Sequence, residues 1–202
     1  GYGDTWQPAD NIVMRMPAIA AIYVPLDGMN ECGLCVADLI EIDGEAAHQN
    51  TGKTPITTVA AIRLMLDYAA NVDEAIALLQ QYDMHSSMNV AHHFALCDTT
   101  GKYAVVEYVD NQLVVTESMA CTNHRLTCST QPTDTALQPA ISNSHQRLEQ
   151  LLATPNSKSL LNSIQDVAFD GWTRWSVLFH PSQRKATYYF NADFSTPYTI
   201  EL

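Results

Sequence analysis

Cysteine and histidine are the residue types in this sequence most able to do chemistry. The cysteines are Cys32, Cys35, Cys97, Cys121 and Cys128, and the histidines that invite a metal reading are His85, His92, His93, His124 and His145. Cys32 and Cys35 form a C-x-x-C, the spacing of a redox pair or of half a zinc site, because thiolates two residues apart can grip one ion. No second C-x-x-C or H-x-x-x-H completes a tetrahedron, and no βαβ pattern surrounds the motif. Cys35 falls in the apolar run LCVADLI, where a thiol serves as a small hydrophobe. His92 and His93 are neighbours in an alternating run, so their side chains leave opposite faces of a strand and do not chelate together. No metal and no cofactor is expected. Asp27 and Asn30 sit in LDGMNECG, a turn-forming stretch in which both residues shape the backbone.

The elements that must position these groups follow from periodicity. Residues 18–24 and 34–42 are apolar runs separated by Pro25 and LDGMNECG, whose Asp-Gly turn signal predicts a hairpin with a connection of about six to eight residues, longer than the tight type. Residues 43–55 read as a polar loop. Val59, Ile62, Leu66 and Ala69 recur at helical spacing from Thr57 onward. Asn71 with Glu74 has the form of a capping box, opening a second helix through VDEAIALLQQY. HHFALCD, YAVVEYV and QLVVTES then predict three strands of an antiparallel meander joined at Thr99-Thr100-Gly101 and Asp110-Asn111. A Pro-bearing loop at 129–142 precedes helices near 143–154 and 158–168. RWSVLFH and KATYYFN close the chain as a hairpin around Pro181-Ser182-Gln183. Strands, two helices, strands, two helices and strands predict an α+β fold, a four-layer αββα sandwich of antiparallel sheets.

The 202 residues carry a net charge of −12 with 47% hydrophobic and 16% charged residues. Phosphate recognition needs clustered Lys and Arg, so nucleic acid is not an expected partner. No run approaches the roughly 18 apolar residues that span a bilayer, so no membrane partner is expected either.

Six segments, taken in order, resemble one family. They are PLDGMNECGL, QQYDMHSS, HHFALCDTTGKYAVVEYVDNQLVV, ACTNHR, SNSHQRLEQLL and RWSVLFH. Their order and spacing are similar to those of the N-terminal-nucleophile (Ntn) hydrolase superfamily, in its linear amide C–N hydrolase and choloylglycine hydrolase (penicillin V acylase-like) branch. The resemblance implies an αββα fold, a single domain over residues 1–202 and a small-molecule amide substrate. It also implies an N-terminal cysteine whose thiol attacks the amide carbonyl while its own amine moves the proton. Residue 1 here is Gly, so the chain is expected to represent the C-terminal two-thirds of such a domain, inactive on its own, with exposed sheet edges that favour association of copies.

By the same resemblance Asn123 is the side-chain amide donor to the oxyanion, where a neutral NH₂ binds developing charge without titrating. Arg147 is the cation beside the thiol and amine, Asp27 lies at the substrate mouth, and His93 is a hydrogen-bonded strand histidine. A second oxyanion asparagine found in bile-salt hydrolases falls at about Ile40, which has no side-chain donor. A backbone N–H is left for that role, which argues against a bile-salt or penicillin V substrate.

Overall fold

The computed structural model describes residues 23–127, 143–153, 160–168 and 171–202. Gly1, residues 18–22, Cys128 and the loop 129–142 lie outside them. The central sheet has five antiparallel strands in the order β1 (Asp27–Met29), β2 (Cys35–Glu41), β5 (Ala91–Cys97), β6 (Tyr103–Val109) and β7 (Gln112–Thr116). The meander is as the alternation predicted. Asp110 and Asn111 both take positive φ at the β6–β7 turn, a conformation that Asn and Asp tolerate better than most residues.

The first hairpin differs from its sequence reading. Asp27 and Gly28 are strand residues paired with Ala37 and Val36. The turn lies instead at Asn30–Leu34, closed by the Asn30 N–H to the Leu34 carbonyl at 3.0 Å. Gly33 there has φ +84°, which only glycine adopts cheaply. Asn30 holds the turn. Its Oδ1 accepts from the Cys32 and Leu34 N–H groups at 3.1 and 3.0 Å, and its Nδ2 donates to the Leu66 and Ala69 carbonyls at 3.1 and 2.7 Å. The Asp-Gly signal was outweighed because Asn30 offers the turn both an acceptor and an anchor.

Two helices, α1 (Thr58–Tyr68) and α2 (Val72–Leu79), cover one face of this sheet. Val36, Phe94, Leu96, Ala104, Val106 and Tyr108 from the sheet join Ala61, Ile62, Met65, Val72, Ala75 and Leu79 in one buried core. The Asn71 cap is formed as expected: its side chain accepts from the Glu74 N–H at 3.0 Å, and Glu74 reaches back to the Ala70 N–H at 2.8 Å. Such a cap stabilises a helix by about 1 kcal/mol.

Between these elements lies a feature that periodicity did not reveal. The strands β3 (Thr54–Thr57) and β4 (Tyr82–His85) pair in parallel as a separate two-stranded sheet. At four residues each, one bearing Pro55, they are too short to show alternation. Asp83 fastens the loop before β3, accepting from the Thr51 N–H and hydroxyl at 2.8 and 2.7 Å and from the Lys53 N–H at 3.2 Å.

A second sheet has the order β10 (Tyr198–Glu201), β9 (Lys185–Phe190) and β8 (Trp175–His180). The β8–β9 hairpin was expected; β10, exposed along its whole length, was not. Helices α3 (Ser144–Leu152) and α4 (Leu160–Asp166) match the two expected near 143–154 and 158–168. The inner face of the five-stranded sheet presents Cys35, Ala37, Ala95, Cys97, Tyr103 and Val105 to Phe179 of β8 across a cavity of about 190 Å³. No helix of the described residues is long and apolar enough to cross a membrane.

Candidate functional site

Beyond the meander the chain runs Thr122-Asn123-His124-Arg125, and each of these residues is fixed by a different partner. Asn123 joins the end of β2, its carbonyl accepting from the Ile42 N–H at 2.9 Å and its Nδ2 donating to the Ile40 carbonyl at 3.1 Å. Arg147, one turn into α3, donates from Nη2 to Asn123 Oδ1 at 2.9 Å and from Nε to Asn143 Oδ1 at 3.0 Å. A carbonyl acceptor on one side and a guanidinium donor on the other leave one orientation for the Asn123 amide. Its NH₂ must face Ile40, and one N–H remains for an incoming oxygen. Burial draws the Arg147 guanidinium down from its usual range, as expected for a cation moved out of water.

The structure therefore brings Asn123 and Arg147 together, 24 residues apart in sequence. It sets Asn123 against Ile40, whose carbonyl rather than side chain takes part. Asp27 has different neighbours: it accepts from Trp175 Nε1 at 2.5 Å and from Tyr188, linking β1 to the β8–β9 hairpin. Burial raises its carboxyl pKa, and the hydrogen bonds from Trp175 and Tyr188 offset only part of that.

The flanking residues clamp this segment to α3. The Thr122 hydroxyl donates to the Ser144 carbonyl at 2.9 Å, and Ser144 Oγ lies 2.9 Å from His124 Nδ1. The His124 and His145 rings stack at 3.6 Å. Burial, then the neighbouring His145, lowers the His124 pKa to about 4. An unfolded histidine titrates near 6.5, so between these values the unfolded chain binds more protons and acid weakens the fold. The stability present at pH 7 is expected to fall by about 2 kcal/mol at pH 5 from this group alone. Urea denaturation at the two pH values, compared with His124→Gln, checks it. A pH slope unchanged by the substitution would count against the assignment.

Beneath the site lies a charged network inside the protein. Arg125 Nε donates to Glu41 Oε2 at 3.1 Å, its Nη2 to the Tyr108 carbonyl at 3.3 Å, and its backbone N–H to Asp43 Oδ1 at 2.8 Å. Glu107, fully buried, accepts from the Leu126 N–H, from the Thr127 N–H at 3.2 Å and from the Thr127 hydroxyl at 2.8 Å. His93 Nδ1 stands 3.5 Å from Glu107 and 3.8 Å from Glu41. Gly44 is required here, since a Cβ would come within 2.2 Å of Glu41 Oε2. Burial drives the Glu107 carboxyl upward, but bonds from His93, Leu126 and Thr127 outweigh it and the net shift is down.

Glu41, His93 and Glu107 bring three ligand atoms within 4.8 Å of one another, so a cation could be drawn there. Arg125 and the amides of residues 126 and 127 already balance much of their charge. His92 leaves the other face of β5, as alternation required, with Nδ1 3.0 Å from Asp38 and Nε2 3.2 Å from the Ser87 carbonyl. Glu41 and Glu107 were legible as charges inside apolar strand runs, a signal that sequence reasoning passed over. Nothing local marked Arg125, Thr122 or Ser144.

Among the described cysteines, Cys32 is exposed at the first turn and Cys35 is buried. Burial, then Glu107, raises the thiol of Cys121 to about 12, so it is protonated at neutral pH.

Two antiparallel sheets faced by helices are the α+β architecture of an Ntn hydrolase. The chain belongs to the family described as acyl-coenzyme A:6-aminopenicillanic acid acyl-transferase, which it matches over residues 25–193. It is 34% identical over 102 residues to the penicillin V acylase of Pectobacterium atrosepticum, a stretch that covers 46% of this chain and 27% of that protein. Among solved structures it is similar to a variant of the conjugated bile acid hydrolase of Clostridium perfringens. That match has a TM-score of 0.66 and 17% identity over 88% of this chain and 72% of the other. It is also similar to the penicillin V acylase of Agrobacterium tumefaciens, with a TM-score of 0.56 and 18% identity over 88% of this chain and 65% of that one. At such identities the two structures speak for the fold.

Proposed function

We propose that the protein hydrolyses linear amide C–N bonds by thiol nucleophilic catalysis from a mature N-terminal cysteine, with Asn123 and Arg147 forming the oxyanion side of its site. One observation carries the reading: Arg147 fixes the Asn123 amide so that an N–H donor is presented beside the end of β2. An asparagine needed only to end a strand would not require a half-buried guanidinium on its oxygen. Family membership and the resemblance to acylases and amide hydrolases support the reaction class.

In this mechanism the thiolate adds to the amide carbonyl, and the carbonyl electrons move onto oxygen. Asn123 Nδ2 donates to that oxygen, a contact worth more in the transition state than in the bound substrate. Collapse of the intermediate breaks the C–N bond, and the N-terminal ammonium gives its proton to the departing amine. Water then attacks the thioester by the same route and restores the thiol. The proposal gives no nucleophilic role to Cys32, Cys35, Cys97 or Cys121, and it expects the 202-residue chain alone to be inactive. Asp27 enters it as a group at the edge of the substrate mouth.

The test is an N-acyl anilide panel with the full-length protein. Turnover should be abolished by iodoacetamide, and an acyl adduct should map to an N-terminal cysteine. Turnover that survives alkylation, or an adduct on Cys32 or Cys121, would sink the mechanism. No turnover of any acyl amide by the intact protein would favour a catalytically silent binding protein of the same fold.

A further inference from the structure

The C-x-x-C does not pair with itself across the first turn; the partner facing Cys35 comes from another strand. Cys35 and Cys97 stand directly opposite each other on β2 and β5. Opposed residues of antiparallel strands have Cα atoms about 4.5–5.5 Å apart, within the roughly 4.4–6.8 Å that a disulfide spans. Both residues line the cavity between the sheets, and both thiols are free. The Cys35 thiol donates to the Gly33 carbonyl at 3.8 Å; the neighbouring Cys97 pushes the Cys35 pKa up, and Cys97 itself is held below the usual thiol range. Cys97 is also the more accessible of the two, half-buried where Cys35 is 3% exposed.

We propose that Cys35 and Cys97 are a redox modification site that closes to a reversible cross-strand disulfide by exchange with a small-molecule disulfide. The Cys97 thiolate attacks one sulfur of that disulfide, forming a mixed disulfide and expelling one small thiolate. Cys35 then loses its proton to solvent, its sulfur attacks Cys97 Sγ, and the second small thiolate leaves. Two protein thiols and one small disulfide become one protein disulfide and two small thiols, so no other oxidant is needed. The new bond joins β2 to β5 at the end carrying the Asn30–Leu34 turn and encloses both helices of the outer layer.

Incubation of the protein with bis(2-hydroxyethyl) disulfide, alkylation and non-reducing peptide mapping test this. A Cys35–Cys97 crosslinked peptide is expected, with two fewer titratable thiols and a melting temperature raised by about 5–10 °C until reductant is added. Cys32→Ser should keep the crosslink and Cys97→Ser should lose it. A Cys32–Cys35 link, a link through Cys121, or an unchanged thiol count would overturn the proposal. So would a Cys35–Cys97 link that lowers the melting temperature, since the folded strands would then not accept it. Mapping on the unsubstituted protein keeps the outcome independent of whether a variant folds.

Discussion

Under the proposed mechanism, replacing Asn123 with alanine in the full-length protein is expected to lower kcat by about 100- to 1000-fold with little change in KM. Removal of one preorganised oxyanion donor costs about 2.7–4 kcal/mol of transition-state stabilisation. The oxygen that needs the donor carries full charge only during reaction, so substrate binding is largely spared. Asn123→Asp should be nearly as damaging. It keeps the shape and pairs with Arg147, but an ionised carboxylate has no N–H to offer. Arg147→Lys should cost less than either, because it keeps the charge but loses the fork that bonds Asn123 and Asn143 together. Steady-state kinetics on the three variants separate these cases. A fall under about threefold for Asn123→Ala, or an effect confined to KM, would remove Asn123 from the oxyanion role.

The second large effect concerns stability. Glu107→Ala is expected to destabilise the fold by about 3–5 kcal/mol, a shift of about 1–3 M in the urea midpoint. The substitution leaves the N–H groups of Leu126 and Thr127 without their acceptor and the fully buried His93 without the carboxylate beside its Nδ1. Glu107→Gln should recover little, since the one carbonyl oxygen of its amide must serve donors that now have two. The Glu107 pKa is depressed in the fold, so its contribution is present above the unfolded value and fades as pH falls through the folded one. The gap between wild type and Glu107→Ala should therefore narrow in acid. A midpoint change smaller than about 0.3 M at pH 7 would mean that the network is not load-sharing as described.

Much of this architecture could be read from the residues. The meander was legible because the short apolar runs within Ala91–Val109 are parted by the turn residues Thr99-Thr100-Gly101, and the α2 start because Asn71 and Glu74 are spaced for reciprocal bonds. The register of β1 was not legible. Asp27-Gly28 carries a strong local turn signal, and it lost to Asn30, which bonds within the turn and also reaches the end of α1, 36 and 39 residues away. The β3–β4 pair and β10 are short and polar, so their pairing is decided by tertiary contact. Asn123 and Arg147 were singled out through resemblance, and the structure supplied the bond between them. Cys35 was correctly read as a small core residue, but the sequence pointed to Cys32 as its neighbour. Strand register, not proximity in sequence, put Cys97 opposite.

The loop ahead of β3 is anchored in a way that limits how it could change. Its backbone is tied down at His48 by Asn111 Oδ1 at 2.7 Å, at Gln49 by the Met84 carbonyl at 3.0 Å and at Ala47 by Ser86 Oγ at 2.8 Å, besides the bonds to Asp83. A segment held so often has little shape left to lose when something binds against it, so binding there would not be weakened by ordering the loop. Its outward side chains can then vary one at a time over a constant frame. Single substitutions on the loop would leave that frame in place, and transplanting the loop without Asp83, Ser86 and Asn111 would carry over its letters without its form.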